Sequence, residues 1–321
     1  MLKNTPAMYK KAYPFLKEVD SLALANVQLH LEKAYKNFFR DPKVGFPRFK
    51  SKHHSKNSYT TNVVNGNILV EDNRIRLPKL KWISMKKHRE PAENCRLKSV
   101  TVSMEPSGKY FASLLYEGYS CENQAADKDY SNAKILGIDY AMQGMAVFSE
   151  EIEMEEAGFF RKNEKRLARE QRKLSRCVKG SRNYVRQKKK VARCHEKIRS
   201  QRRDYLHKLS RRITDQYDIV AVEDIDMKAM SQCLHFGKSI QDNGYGMFRN
   251  MLDYKLAWKG KELVKADRFF PSSKKCSKCG KIKKELKLSE RVYRCTCGNE
   301  MDRDRNAAIN IREEARRMLA A

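Results

Sequence analysis

A multi-domain α/β protein is what the sequence predicts, and three features predict it. Two short apolar runs, residues 135–139 and 219–223, have the make-up of strands buried inside a sheet. Helical patterns lie between and after them. A four-cysteine cluster near the C-terminus marks a small metal-stapled insert. At 321 residues the chain is long enough for two or three units around at least one good core.

From the start, Leu16, Val19, Leu22, Leu24, Val27, Leu29, Leu31 and Tyr35 recur at near-helical spacing, which predicts a helix over 14–39 with a cap or break at Asp20-Ser21. Two prolines in Pro42-Lys-Val-Gly-Phe-Pro47 end that pattern. Residues 58–119 then read as short strands and turns. Asn65-Gly66 signals one hairpin and Pro106-Ser-Gly108 a second. This small β domain has a basic face of Arg48, Lys50, Lys52, Lys56, Lys86 and Lys87, interleaved with Tyr59 and Trp82. The polar stretch 121–133 serves as a linker.

Beyond the linker, 135–139 and 145–148 look like paired strands. Residues 161–212 hold 22 Lys/Arg against 4 Asp/Glu, so +18 of the chain's +29. Phe160, Leu167 and Leu174 fall seven apart, as do Tyr184, Val191, Ile198 and Tyr205, with Lys179-Gly180-Ser181 between the two series. Two antiparallel helices with a thin apolar seam are expected. Such an imbalance repels itself unless a polyanion neutralises it, so a nucleic-acid contact surface is favoured over a solvated coiled coil. A buried strand over 218–225, a helix over 245–263, a strand over 263–270 and a closing helix over 306–319 complete the chain. It contains no internal repeat.

Nine cysteines, an odd number, argue against a disulfide framework. Cys95, Cys121, Cys177, Cys194 and Cys233 are scattered. Cys276-Ser-Lys-Cys279-Gly280 and Cys295-Thr-Cys297-Gly298 are separated by 15 residues and form two knuckles. Four thiolates aimed at one point predict one structural zinc, with Cys276, Cys279, Cys295 and Cys297 as ligands. Redox use of one Cys-x-x-Cys would not call for a second pair. His195, His207 and His235 receive no role.

Asp139 and Glu223 each end an apolar run, and Asp304 opens a helix-like stretch just after the cysteines. Carboxylates at strand ends, joined by one at a helix start, can hold two divalent cations astride a phosphodiester. A balance of 68 basic against 39 acidic residues makes nucleic acid the leading partner.

Several stretches together resemble the TnpB (OrfB) family of transposon-encoded RNA-guided nucleases, relatives of the compact type V CRISPR effectors. They are Gly137-Ile-Asp139, Val222-Glu223-Asp-Ile225, Arg268-Phe-Phe-Pro-Ser-Ser-Lys-Lys-Cys276-Ser-Lys-Cys279-Gly280 and Asp302-Arg-Asp304-Arg-Asn306-Ala-Ala-Ile-Asn-Ile311. Phe46-Pro-Arg-Phe-Lys50 and Ser58-Tyr-Thr-Thr-Asn62 add to the likeness, which covers nearly the whole chain.

The resemblance implies an RNase H-like RuvC core with a five-stranded mixed sheet and an inserted zinc ribbon, preceded by a helical segment and a β-barrel-like wedge domain. The expected layout is a partial recognition-like segment at 1–43, the wedge-like domain at 44–120 and the linker at 121–133. The nuclease core then spans 134–321, with the basic hairpin at 160–213 and the ribbon at 272–300. Asp139, Glu223 and Asp304 match the family's catalytic acids, which bind two Mg²⁺. Asp302 is either an outer acid or the helix cap. Tyr59, Thr60, Thr61 and Asn62 are expected to help read a short flanking motif, or to touch phosphates. Arg169, Arg172, Lys173, Arg182, Lys189 and Arg202 are expected on the nucleic-acid backbone.

Expected partners are a guide RNA from the transposon end and double-stranded target DNA. The family begins with a wedge strand and more recognition helices, so a shortened N-terminal part is expected. No apolar run approaches a membrane span or a secretory signal, so a cytoplasmic, nucleoid-associated bacterial protein is expected. The competing functions are an RNA-guided DNA-binding repressor, or a decayed copy that no longer cuts. A strand-transferring transposase would need a different constellation, such as a nucleophilic tyrosine beside a His-x-His site, and no His-x-His occurs.

Overall fold

The computed structural model describes residues 5–49, 51, 57–118, 130, 132–141, 144–153, 159–225, 244–287 and 289–320. Lys50, Lys52, Lys56, Cys121, Cys233, His235 and most of the expected linker lie outside the described residues. The chain divides into two compact units, Met1–Glu122 and Asn123–Ala321.

In the first unit, a single turn α1 (Pro6–Tyr9) and a 3-10 turn (Pro14–Lys17) precede helix α2 (Ser21–Arg40). The helix expected from residue 14 is therefore interrupted. The Asp20 side chain accepts the Leu22 N–H at 3.1 Å and so starts a new helix instead of extending the old one. Six strands follow: β1 (Asn57–Asn62), β2 (Leu69–Glu71), β3 (Arg74–Leu77), β4 (Leu80–Ser84), β5 (Arg96–Met104) and β6 (Tyr110–Glu117). They form two sheets, ordered β1-β5-β6 and β2-β3-β4, which share a small core of Ile68, Ile75, Leu77 and Val100.

The turn at Asn65-Gly66 forms, with both residues at positive φ. Yet β1 pairs with β5 and β2 with β3, so this turn passes the chain between sheets and closes no hairpin. The expected hairpin at Pro106-Ser-Gly108 does join β5 to β6, where Glu105 and Lys109 bond at 2.9 Å.

The second unit is built on a four-stranded sheet. Strands β7 (Ile135–Ala141) and β8 (Met145–Phe148) are antiparallel, while β9 (Ile219–Glu223) and β10 (Glu262–Ala266) run parallel to β7 in the order β10-β9-β7-β8. Four strands, not the expected five, are seen among the described residues. Helices are α3 (Phe159–Ser175), α4 (Arg182–Gln216), α5 (Tyr245–Trp258) and α6 (Arg303–Ala320). The strand expected over 263–270 stops at Ala266, and the helix expected to residue 263 stops before Gly260, whose φ is +67°.

Alternation along the strands sorts side chains between two layers. Leu136, Ile138, Tyr140, Val220 and Val222 pack with Leu206, Leu209 and Ile213 of α4 and with Phe248, Leu252 and Leu256 of α5. Ile135, Ile219 and Ala221 face the other way, onto Ile311 and Ala315 of α6. By the same parity Asp139 and Glu223 belong to the α6 face.

Helix α4 does two jobs that its sequence does not separate. Its first half pairs with α3 as the basic hairpin, sealed by Leu167, Ile198 and the buried Gln187, which donates to Glu170. Its second half is a core helix. Gly180, at φ +84°, turns the chain, and Ser181 caps α4 by accepting the Tyr184 N–H.

Helix α6 lies unusually close to β7. A Cβ at Gly137 would stand 2.0 Å from the Ala308 carbonyl oxygen and 2.8 Å from the Arg312 nitrogen, both backbone atoms that cannot step aside. Gly137→Ala must therefore lift α6 off the sheet. It is expected to cost at least the ~1–3 kcal/mol of ordinary overpacking, visible as a lower midpoint in thermal melts. An unchanged midpoint would show that the close approach is not needed.

Candidate active site and zinc ribbon

Asp139 and Glu223 come together through register. Strands β7 and β9 pair in parallel as far as Ile138 opposite Val222, so one more step sets Asp139, two residues short of the end of β7, beside Glu223, the last residue of β9. Asp304 arrives from the first turn of α6, brought down by the close approach at Gly137. Burial, then the charges of Glu223 and Asp304, push the Asp139 carboxyl well above the carboxylate range; a backbone hydrogen bond from Tyr140 and the Arg303 guanidinium act the other way. Burial also raises Glu223, opposed by the Ser272 hydroxyl, which donates to Glu223 Oε1 at 3.0 Å.

Asp304 lies between two arginines: Arg303 Nε is 3.6 Å from Oδ1 and Arg291 Nη1 is 4.0 Å from Oδ2. Asp302 is the helix cap, with its Oδ1 accepting the N–H groups of Asp304 and Arg305, each at 2.9 Å. Those bonds give Asp302 the expected capping role at the start of α6.

Three carboxylates meet in one half-buried corner, where two of them raise the third. This oxygen-only donor set fits a hard divalent cation such as Mg²⁺. Among the described residues, the group of candidate ligands that converges within 4.8 Å is the four cysteines. The acids stand close enough that the charges of Glu223 and Asp304 both raise Asp139.

In the ribbon, Cys276 and Cys297 Sγ lie 3.7 Å apart and Cys279 and Cys295 Sγ 3.6 Å apart. Those spacings match the edge of a tetrahedron with Zn–S bonds of roughly 2.3 Å, about 3.8 Å. Each knuckle turns on a glycine at positive φ, Gly280 (+75°) and Gly298 (+85°), and their N–H groups bond to Cys276 and Cys295 carbonyls. Although burial raises the Cys276 thiol, N–H groups of Cys279 and Lys278 and the Asn299 amide hold it below the usual thiol range. The residues fit a closed, structural zinc site.

The two centres are joined by side chains to which the sequence reading gave no role. Asn306 Oδ1 accepts the Ser277 N–H at 3.0 Å, and its amide donates to the Lys275 carbonyl at 2.8 Å. Asn310, one turn on, donates to Ser272 and Lys275 carbonyls, both at 2.7 Å. Two asparagines four apart in a helix share a face, so this link left a signal in the sequence. Ser272 left none. Nor did Tyr245, which is buried near the site and has no partner for its hydroxyl among the described residues; burial, then the nearby Asp139 charge, keep it protonated.

The expected nucleic-acid contacts divide. Arg169, Arg172, Lys173, Arg182 and Lys189 are exposed on the hairpin. Between α3 and α4 a cleft of about 300 Å³ is lined by Arg166, Lys173, Lys190, Arg193 and Lys197 around Glu170. Arg202 is half-buried, its stem lying against Gly244.

On β1, the four residues expected at a flanking motif or at phosphates, Tyr59, Thr60, Thr61 and Asn62, differ in exposure. Thr61 is fully buried, because alternation turns it into the core. The Thr60 hydroxyl bonds to Thr101 at 2.8 Å, and the Asn62 amide pairs with Asn26 of α2. Tyr59 is half-buried.

Residues 118–234 match a protein-family model, OrfB_IS605, described as "Probable transposase". Residues 245–311 match the "Cas12f1-like, TNB domain". A Streptomyces pristinaespiralis protein named "Putative RNA-guided DNA endonuclease" is 36% identical over 302 residues, covering 92% of this chain and 72% of that one. InsQ of Escherichia coli K12, which bears the same designation, is 33% identical over 322 residues, covering 95% and 77%. The cryo-EM structure of a Cas12f1–sgRNA–target DNA complex contains a chain with a TM-score of 0.55 to this one. The match covers 97% of this chain and 76% of that one at 16% identity, a likeness of fold. Among the described residues no helix is long and apolar enough to cross a membrane.

Proposed function

The chain belongs to the TnpB (OrfB) family, and from that premise we propose that it is an RNA-guided DNA endonuclease of a transposable element, with Asp139, Glu223 and Asp304 as its catalytic acids. The observation that carries this reading is the meeting of the three carboxylates: two strands and a helix each deliver one to the same corner, where Glu223 and Asp304 both raise Asp139. Three acidic side chains at one corner offer enough oxygen donors for a site that shares two Mg²⁺. When bound, such ions supply an activated water and stabilise the leaving 3′-oxygen in an in-line displacement.

The chain's own residues do the rest. Ser272 fixes the Glu223 carboxylate by its hydrogen bond. Asp302 caps α6 and so aims Asp304, while Arg303 and Arg291 flank that carboxylate and orient it. The layout read here is a RuvC-like core with an inserted zinc ribbon in the second unit, and a wedge-like β domain with a helical segment in the first. A guide RNA from the transposon end would choose the target by base pairing, and protein contacts would read duplex shape and a short flanking motif. The exposed cations of the α3–α4 hairpin supply the backbone grip.

The test is plasmid cleavage with co-expressed transposon-end RNA and Mg²⁺. Glu223→Gln and Asp304→Asn are expected to bind target normally. Both should lose cleavage by more than the roughly 100-fold that follows loss of a metal's outer-shell partner. Cutting that survives in both variants would overturn the assignment.

A further inference from the structure

Phe269 lies on the loop between β10 and the ribbon, and its side chain is 87% exposed. Single exposed hydrophobics are ordinary on protein surfaces, but this one differs in how it is held. Its neighbour Phe270 turns inward and packs against the Ile219, Val264 and Ile311 layer. The loop that carries both rings is fastened at both ends. Asp267 Oδ1 accepts the Phe269 N–H at 2.7 Å and the Asp267 carbonyl accepts that of Phe270 at 3.0 Å.

On one side Arg268 donates to the Asp224 carbonyl at 3.3 Å and pairs with the Asp224 carboxylate at 3.8 Å. On the other, Ser272 is bonded to Glu223 and, through its carbonyl, to Asn310. The ring is thus carried by a short span whose two ends grip Glu223 and the residue after it. Strand β10 reaches the same corner, since Ala266 pairs with Glu223.

A water-facing aromatic ring on a span bonded to Glu223 and Asp224, with exposed Arg268 before it in sequence and exposed Lys274 farther along the same loop, has the make-up of a base-stacking platform. The ring offers a π-face that any base can use, and the cations suit the adjoining phosphates. A protein partner would call for a wider apolar patch than one ring among charges. We propose that Phe269 stacks on an unpaired nucleobase of the DNA strand being cut and so positions its phosphate over Asp139, Glu223 and Asp304. Phe269 is then a positioning residue, and the inference rests on the nuclease reading above.

The experiment uses the full chain with guide RNA and a target whose cleaved strand carries 2-aminopurine, a base whose fluorescence falls on stacking. The fluorescence is read in the Asp139→Asn background so that the strand stays intact. With Phe269 present, one or two probe positions near the cut are expected to be quenched. Phe269→Ala restores their emission and Phe269→Trp does not. In the cleaving enzyme, Phe269→Ala is expected to slow cutting roughly 5- to 100-fold, and Phe269→Trp to recover most of the rate.

Equal quenching at every probe position in wild type and Phe269→Ala would overturn the proposal, as would unaltered cutting by Phe269→Ala. So would a change in oligomeric state with no change in quenching. These failures leave the nuclease reading intact as long as Glu223→Gln and Asp304→Asn still abolish cleavage.

Discussion

Asp139→Asn is expected to abolish cleavage, by well over 100-fold, and at the same time to make the protein more stable above neutral pH when Mg²⁺ is withheld. Both effects have one cause. The Asp139 carboxyl is raised by burial and by two neighbouring carboxylates, so its charged form is unwelcome in the folded state. An acid raised on folding adds stability below its ordinary pKa, about 3.9, and that stability is lost as pH rises through the folded value. Asparagine keeps the shape and removes the charge, so it removes this loss. Melts between pH 4 and pH 8, in magnesium-free buffer that leaves the zinc in place, are expected to fall more steeply with pH for wild type than for the variant. Parallel curves would mean that the three acids do not crowd one another, and the metal-binding role would lose its footing.

Stripping zinc is expected to have the largest effect on structure. Besides its four cysteines, the described residues of the ribbon hold the short pair β11 (Val292–Arg294) and β12 (Glu300–Asp302), a single bridge between Lys275 and Ile282, and one large buried ring, Tyr293. That is too little apolar surface to hold a fold alone, whereas structural zinc contributes about 10–16 kcal/mol in small zinc peptides. Because Asn306 and Asn310 bond to Ser272, Lys275 and Ser277, loss of the ribbon frees the first turns of α6 and with them Asp304. Hydrogen exchange is expected to rise over residues 272–310 after removal of zinc while β7 and β9 stay protected. Cleavage is expected to be lost even in excess Mg²⁺ and regained on adding zinc. A stripped protein that keeps residues 272–310 protected would show that the metal is dispensable.

The parts legible in the sequence are those whose physics is local. A four-thiol cluster at that spacing has few uses, and apolar runs ending in Asp139 and Glu223 announce buried strands with an acid at the rim. The α3–α4 hairpin was legible because its seam repeats every seven residues and its turn carries Gly180. Errors arose where a local signal was right but its partner lay elsewhere. Asn65-Gly66 makes its turn, yet the strands it joins pair with other strands. Thr61 sits in a polar run and is nonetheless a core residue, since alternation along β1 faces it inward beside Val100, its partner on β5.

The sequence alone determined which chemistry is available: the three carboxylates, the thiolate cage and the excess of cations, all written in residue types and spacings. Only the tertiary structure decided that this chemistry meets. The register of β7 on β9 sets Asp139 beside Glu223, and the missing side chain at Gly137 lets α6 descend far enough to bring Asp304 to them. The asparagine link makes the zinc ribbon part of the same rigid body. The physical reason is that a residue's type fixes what it can bond, whereas its neighbours in space depend on strand pairing and close contact between residues as far apart as Gly137 and Arg312, which no local window of the chain contains.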